Sequence, residues 1–281
     1  MKTYTTDLIR NVALIGSTGA GKTMLAESML FEGKVIDRKG TIEGNSTVSD
    51  YSEIEQINHK SIYSTVLYTE FMDRKLNLFD TPGSDDFIGS VITSLTVADL
   101  AVMVVNAQHG VEVGTEIFAR WAMRAKRPMV LAINHLDHEK ANYEHTLESL
   151  QHSFGPKVVT VQYPVNPGAE FDSFVDVLLM KLYRFKGTLG EREELPIPES
   201  EMARAKELNA KLVEAAAEND EQLMELFFEK GTLTEDEIRK GLSVGIATGG
   251  VYPVFCTSAQ RTIGVKRLME FIIKVGPSPA D

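Results

Sequence analysis

The stretch of sequence that decides the fold is Gly16-Ser17-Thr18-Gly19-Ala20-Gly21-Lys22-Thr23. It matches the pattern GxxxxGK followed by Ser or Thr, and it lies between a predicted buried strand (residues 12–15) and a predicted helix (residues 22–30). Glycines let such a loop curl so that its backbone N–H groups and the helix N-terminus face phosphate groups. We predict that Lys22 neutralises charge between the β- and γ-phosphates and that the Thr23 hydroxyl ligates Mg²⁺.

Beyond this loop, short apolar runs alternate with amphipathic segments of helix length. Further strands are predicted at residues 65–71, 76–79, 100–105, 129–133 and 252–256, and further helices at residues 87–97, 115–126, 143–152 and 265–274. This alternation is typical of a parallel sheet wound with helices. The predicted fold class is therefore α/β, a P-loop NTPase with a wound, mainly parallel sheet flanked by helices.

The pattern changes after Pro156, where two strand-like runs precede a helical region. Three helices are predicted there, at residues 199–218, 221–229 and 234–244. We interpret the region as an inserted α+β subdomain. The expected division is a nucleotide-binding domain made of residues 1–156 and 250–281, with the insertion at residues 157–249.

The inserted region is also where acidic residues concentrate. The stretches 191–201 (EREELPIPESE) and 215–222 (AAAENDEQ) are interpreted as solvated helix faces, with a protein-docking surface as the alternative. Capping boxes support the starts of the last two helices, and they are predicted to pair Asn219 with Gln222 and Thr234 with Glu237.

Two further motifs follow predicted strands. In Asp80-Thr81-Pro82-Gly83, the carboxylate is expected to hold Mg²⁺ through water, and the Gly83 N–H is expected to contact the γ-phosphate. In Asn134-His135-Leu136-Asp137, the Asp137 carboxylate can accept hydrogen bonds from the N1–H and 2-amino groups of guanine, a donor pair that adenine lacks. Asn134 is expected to tie this loop to the phosphate loop. These motifs predict a site for GTP rather than ATP.

A tripeptide after the last predicted strand, Thr257-Ser258-Ala259, completes the nucleotide site. The Ala259 N–H is predicted to meet guanine O6, and Ser258 is predicted to brace Asp137. The tripeptide is too short to be specific by itself. Its position after the strand at residues 252–256 is what gives it weight.

The composition agrees with a cytoplasmic globular protein. The chain has 281 residues and a net charge of −11, which argues against broad, non-specific binding to nucleic acid but leaves a local contact with RNA open. Its single cysteine, Cys256, lies in an apolar run and is expected to be a buried thiol. The sequence shows neither the apolar core of a secretion signal nor a run of about 18 apolar residues. We expect a monomer that does not enter a membrane.

With these motifs in this order, the chain resembles the translational GTPases, specifically the elongation factor G family. The stretches NVALIGSTGAGKT, NLFDTPGSDDF and VYPVFCTSAQRTIGVKRLMEFIIKVGPSP carry the resemblance. It implies GTP and GDP as ligands with Mg²⁺, and hydrolysis that drives or regulates ribosomal translocation. It also implies contact with the factor-binding centre of the ribosome, docking of the ribosomal stalk protein on the predicted helices at residues 199–218 and 234–244, and further domains after residue 281.

One departure from the family concerns hydrolysis. Ser84 stands where the family carries the switch II histidine that aligns the attacking water, so the catalytic set predicted from the sequence is Ser84 as a degenerate position, Gly83 and Lys22. Loss of such a group commonly costs about 10²–10⁴ in rate. We therefore expect slow hydrolysis and a divergent paralogue of elongation factor G. A non-hydrolysing GTP-binding module and a ribosome-protection factor are the alternatives.

Three more departures lie around the nucleotide. Ser61 aligns with the switch I threonine that reaches Mg²⁺ in this family, and keeps a hydroxyl there. His135 replaces the usual lysine of the guanine loop, and Gly19 replaces an aspartate common in the phosphate loop. We expect guanine selectivity to persist with weaker affinity. The sequence of the polar stretch at residues 43–61 does not determine whether that stretch is ordered.

Overall fold

A computed structural model describes residues 2–187 and 191–281. The strands form two sheets. The strands are β1 (Ile9–Ile15), β2 (Thr65–Phe71), β3 (Arg74–Asp80), β4 (Leu100–Asn106), β5 (Met129–Asn134), β6 (Val158–Thr160), β7 (Gln162–Pro164), β8 (Ser173–Asp176), β9 (Lys181–Lys186), β10 (Glu191–Leu195) and β11 (Tyr252–Cys256). The larger sheet has the order β2-β3-β1-β4-β5-β11-β6, and the smaller has the order β10-β9-β8-β7.

The larger sheet is parallel except at one edge. Strands β4, β5 and β11 are buried along their whole length, because parallel strands covered on both faces carry continuous apolar runs. The exception is the hairpin of β2 and β3, which pair antiparallel around Met72 and Asp73. Both turn residues have positive φ, 49° and 58°, as a two-residue hairpin turn requires. The α/β prediction and the mainly parallel sheet are confirmed.

Nine helices accompany the sheets in the described ranges. They are α1 (Lys22–Glu32), α2 (Glu53–Asn58), α3 (Ile88–Val97), α4 (Val113–Arg124), α5 (Tyr143–Phe154), α6 (Glu199–Ala217), α7 (Glu221–Lys230), α8 (Glu235–Thr248) and α9 (Val265–Val275). Helix α1 packs against α9, and α3 packs against α4. Within the described residues, no helix combines the length and apolar character needed to cross a bilayer.

The smaller sheet and helices α6 to α8 lie within the range expected for the insertion. Strand β6 lies there too, yet it pairs with β11 and so extends the larger sheet. A buried ion pair joins the two parts, since the Arg267 guanidinium on α9 donates to the Asp176 carboxylate on β8 at 2.7 Å. The domain bounds given above stay a prediction.

Two local predictions in this region were wrong. Asn219 does not cap α7: the cap is Asp220, whose carboxylate accepts from the Gln222 and Leu223 N–H groups, while the Asn219 amide donates to Ala215 O. Residues Glu191–Leu195 form strand β10 instead of a solvated helix face, because their glutamates pair with lysines of β9 across the sheet edge. The predicted capping box of Thr234 with Glu237 is confirmed.

Candidate functional site

The glycine-rich loop lies at the carboxyl end of β1 and leads directly into α1. Gly16 has φ +142°, and a Cβ there would collide with the Val104 carbonyl oxygen of β4. Gly21 has φ +91°, and a Cβ there would collide with the Asn134 amide and lie 2.9 Å from the His135 imidazole nitrogen. Glycine is needed at both positions, because the loop packs directly against the neighbouring strand ends.

Lys22 is held inside this loop, with 6% of its surface exposed. Its ammonium group donates to Gly16 O at 2.8 Å and to Ser17 O at 3.1 Å. Burial lowers the pKa of Lys22 to about 8, although the charges of Asp80 and Asp50 oppose the shift. In the described residues, the hydrogen-bond acceptors of the buried Lys22 ammonium group are two carbonyl oxygens, and no carboxylate accepts from it. A bound anion would therefore stabilise its charge strongly. The loop therefore presents a positive charge suited to phosphate.

One side chain joins three of the motifs. The Asn134 amide nitrogen donates to Ala20 O of the glycine-rich loop at 2.8 Å. Its amide oxygen accepts from the Ala259 N–H at 2.9 Å and from the Thr257 hydroxyl at 3.2 Å. A guanine O6 would therefore share the Ala259 N–H with Asn134. All residues of this junction are buried, so the relative positions of the three loops are fixed together.

The rest of the guanine side differs in detail from the sequence-based expectations. The Ser258 hydroxyl accepts from the Arg261 N–H at 3.2 Å, so it is used inside its own turn rather than at Asp137. His135 has φ +61° and lies against the glycine-rich loop. Burial lowers the pKa of His135, which keeps its imidazole neutral at pH 7. Asp137 is partly exposed.

The residues predicted to hold Mg²⁺ are close to one another. The Thr23 and Ser61 hydroxyl oxygens lie 3.1 Å apart. Asp80 is fully buried, and within residues 2–187 and 191–281 neither of its carboxylate oxygens has a hydrogen-bond partner. Burial raises the pKa of Asp80, while the nearby hydroxyls of Ser49 and Thr23 act in the opposite direction. A buried carboxylate with unused oxygens beside two hydroxyls fits a hard divalent cation.

This arrangement is not a cage of protein ligands. In the described part of the chain, no group of three or more His, Cys, Asp or Glu side chains is placed to hold a metal ion. Mg²⁺ in phosphate-loop sites is bound by few protein groups, and phosphate oxygens and water complete its octahedral shell. The donor set around Thr23 and Asp80 is therefore compatible with a cation that enters with a nucleotide.

The loop after β3 comes close to the glycine-rich loop. A Cβ at Gly83 would lie 2.5 Å from the Lys22 ammonium nitrogen and 2.6 Å from Thr18 N, so no side chain fits between these loops. Ser84 lines the same cleft, and its hydroxyl donates to the Asp86 carboxylate at 3.2 Å. The loop after β3 thus lies directly against the glycine-rich loop, where a terminal phosphate is expected.

The cleft also contains an acid that the sequence motifs did not reveal. Asp50 is 6% exposed, and within the described chain one of its carboxylate oxygens has no hydrogen-bond partner. Burial raises the pKa of Asp50 to about 6, while the nearby Ser61 hydroxyl acts in the opposite direction. In the sequence, Asp50 is one acid in a polar stretch and looks solvated. Only the folded chain brings it to the cleft.

A larger groove, of about 750 Å³, lies between α5 and α6. Its lining contains Leu147, Pro156, Arg204 and Leu208, and it includes none of the motif residues. The smaller cleft, of about 270 Å³, is lined by Lys22, Thr23, Ser61, Gly83 and His135 among others. Chemistry, not size, selects the candidate site, because of these two cavities the smaller combines the glycine-rich loop, the buried Lys22 and the acid Asp50 with an unpaired oxygen.

One known family matches nearly the whole chain. The family model described as the elongation factor Tu GTP binding domain matches residues 7–278. The chain is 35% identical over 280 residues to elongation factor G of Mycoplasma pneumoniae, covering 99% of this chain and 41% of that protein. It is 32% identical over 273 residues to an elongation factor G-like protein of Thermotoga maritima, covering 97% of this chain and 38% of that protein.

A solved structure of a protein from Thermus thermophilus has the same fold. It matches with a TM-score of 0.91 and 32% sequence identity, covering 98% of this chain and 41% of that chain. The chain thus spans about two fifths of the length of the relatives that it matches.

Proposed function

Because this chain belongs to the family of elongation factor Tu-type GTP-binding domains, we propose that it binds GTP and GDP with Mg²⁺ as part of an elongation factor G-like translation factor. In this proposal it hydrolyses GTP slowly, and the nucleotide state drives or regulates ribosomal translocation. The ribosome is the partner, reached through its factor-binding centre. The proposal rests on the family and on the chemistry of the cleft.

The observation that carries the proposal is the junction at Asn134. Its two amide atoms hold the glycine-rich loop and the loop after β11 in one arrangement, at 2.8 Å and 2.9 Å. The loop proposed to bind phosphate and the loop proposed to bind the base are therefore held in position by the same side chain. Preorganisation favours tight binding, because the ordering cost is already met on folding.

The predicted residues that have a role in this proposal fall into three groups. The backbone N–H groups of the glycine-rich loop and the Lys22 ammonium group bind the phosphates, and Asp137 accepts hydrogen bonds from the guanine edge. Thr23, Ser61 and Asp80 would hold Mg²⁺, directly or through water. When bound, Mg²⁺ would neutralise part of the charge on the β- and γ-phosphates.

The residue at position 84 supports slow hydrolysis in this proposal. A serine hydroxyl, which here donates to Asp86, is too weak a base to take a proton from an attacking water, and its side chain is shorter than that of histidine. We expect Ser84→His to raise the single-turnover rate of GTP hydrolysis by about 10²-fold. Ser84→Ala is the matched control and should leave the rate unchanged. A large loss of rate in Ser84→Ala would show that the serine itself takes part.

Calorimetry with the purified protein tests nucleotide binding directly. We expect one site for GDP and GTP, with affinity at least about 10³-fold above that for ATP, because a site built to hydrogen-bond a base rejects a base that lacks those groups. Removal of Mg²⁺ by a chelator should weaken GTP binding. Absence of binding to either guanine nucleotide, or equal affinity for ATP, would refute the proposal.

The ribosomal part of the proposal needs a separate test. We place the stalk-protein contact on α6 and α8, which expose acidic side chains in the region that resembles the family's inserted subdomain. Turnover of GTP by the full-length protein should rise strongly when ribosomes are added. Tight GTP binding with no ribosomal stimulation would instead support a binding module that does not hydrolyse.

A further inference from the structure

Lys39 lies outside the four motifs, in the segment that connects α1 to α2. Its ammonium nitrogen donates to three oxygens of the turn after β11: Gln260 O at 2.7 Å, the Thr262 hydroxyl at 2.7 Å and Ala259 O at 3.1 Å. An ammonium group has three donors, so these contacts use all of them. A fourth oxygen, the Ser28 hydroxyl, lies at 3.4 Å.

The turn is also held by α1. The Ser28 hydroxyl is fully buried and donates to Ala259 O at 2.6 Å, so this carbonyl oxygen accepts from two side chains, Ser28 and Lys39. The residue after Lys39 is anchored to the same helix, because the Gly40 N–H donates to the buried Glu27 carboxylate at 2.7 Å. Lys39 is thus held to the turn through its side chain, while the backbone that follows it is held to α1.

The backbone of the turn shows why such support is needed. Thr262 has φ +61°, a conformation that is costly for a β-branched residue and persists only where the surroundings impose it. Its hydroxyl is one of the three acceptors of the Lys39 ammonium group. The turn begins at Ala259, whose N–H is placed at the guanine side of the cleft by Asn134.

Electrostatics connect Lys39 to the same side of the cleft. Burial lowers the pKa of Lys39, while the negative charges of Glu27, Glu32 and Asp137 act to raise it. Asp137 is the acid proposed to accept from the guanine edge. The lysine therefore lies within electrostatic reach of both groups that are proposed to bind the base.

From these contacts we infer that Lys39 is a positioning residue for guanine recognition: it holds the oxygens of the 259–262 turn and thereby fixes the backbone that meets the base. This inference rests on the proposed function, since it requires a guanine nucleotide in the cleft. In this inference Lys39 acts through the turn and not by contact with the nucleotide. It adds to the hold of Ser28 on the Ala259 carbonyl and supplies the contacts to Gln260 O and the Thr262 hydroxyl.

The test compares Lys39→Met with wild type and with Lys34→Met, which removes an exposed lysine from the same connecting segment. Calorimetry gives the Kd and stoichiometry for GDP, and competition gives the Kd for ADP. Loss of charge-assisted hydrogen bonds predicts about tenfold weaker GDP binding in Lys39→Met, with unchanged ADP binding and one site per chain. Thr262→Val, which removes one acceptor, should weaken GDP binding in the same direction by a smaller factor.

The outcomes distinguish failure of the proposed function from failure of the inference about Lys39. If wild type does not bind GDP, the proposed function fails. If wild type binds GDP and Lys39→Met binds it equally well, or loses GDP and ADP affinity by the same factor, the inference about Lys39 is overturned. Thr262→Val serves the same purpose if Lys39→Met does not fold, and unaltered GDP affinity in that variant would also refute the inference.

Discussion

Substitution of Glu55 by glutamine tests how the segment between α1 and β2 is held closed. Glu55 is 1% exposed, and its carboxylate accepts from three groups: the Ser52 hydroxyl at 2.6 Å, the Ile62 N–H at 2.9 Å and the Tyr63 N–H at 3.0 Å. These bonds fix the backbone immediately after Ser61, whose hydroxyl lies against Thr23. Glutamine has the same shape, keeps one acceptor oxygen and loses the charge.

The magnitude follows from the bonds affected. A hydrogen bond to a charged group contributes about 1.5–3 kcal/mol, and a neutral one contributes about 0.5–1.5 kcal/mol. The two backbone bonds to Glu55 would therefore lose about 1 kcal/mol each in Glu55→Gln, or about 2 kcal/mol together. Because the segment can open without unfolding the sheet, the cost falls on local opening. A change of about 2 kcal/mol corresponds to opening about 30 times more often.

Amide hydrogen exchange at Ile62 and Tyr63 measures this opening. Burial raises the pKa of Glu55, but the hydrogen bonds from Ser52 and from the Ile62 and Tyr63 N–H groups outweigh it, so the pKa lies below 4.5. A lowered folded-state pKa stabilises the segment above pH 4.5, and that contribution is lost as the pH falls through the lowered value.

The exchange difference between wild type and Glu55→Gln should therefore be present at pH 7 and disappear in acid. Glu53→Gln, an exposed neighbour on α2, is the control and should match wild type. Equal exchange at Ile62 and Tyr63 in wild type and Glu55→Gln at pH 7 would refute the reasoning.

Three further substitutions address the cleft and the core. Asp80→Asn should stabilise the protein by about 1–3 kcal/mol in urea unfolding without Mg²⁺ and nucleotide, because it removes an unpaired buried charge, and it should abolish the Mg²⁺ dependence of GDP binding. Gly21→Ala should cost at least about 1–2 kcal/mol for the positive φ and weaken GDP binding further, since its Cβ would displace Asn134; unchanged GDP affinity would contradict this. Arg267→Met leaves Asp176 buried without its partner and should lower the free energy of unfolding by about 3–5 kcal/mol; a loss below about 1 kcal/mol would show that the pair is dispensable.

Sequence reasoning worked where local pattern and burial agree. Strand β11 was predicted at residues 252–256 and is observed as Tyr252–Cys256. An uninterrupted apolar run of this length, bounded by glycine and a polar turn, is typical of a buried strand. Sequence reasoning failed for elements whose structure depends on tertiary contacts. Helix α2 has only six residues, and buried Glu55 links it to the chain beyond it. Strand β10 is mostly charged, as edge strands often are, and its register depends on β9.

The candidate site also contains residues that the sequence predicts and residues that it does not. The motif residues could be predicted, because their chemistry is tied to fixed spacing beside a strand end. Lys39 and Asp50 could not, because each acts on groups that are distant in the sequence: Lys39 contacts a turn that lies 220 to 223 residues later in the chain. A single sequence carries no signal for such a contact.

The buried acids near the cleft differ in whether other residues of the chain pair their carboxylate oxygens. Glu27 and Glu55 are as buried as Asp80, but each accepts two backbone N–H groups, so their charges are satisfied by the fold itself. Asp80 and Asp50 keep unpaired oxygens within the described residues, and burial raises the pKa of both. Burying an unpaired carboxylate costs free energy that folding does not recover. Such a cost is consistent with the proposal that a cation completes the site beside the glycine-rich loop.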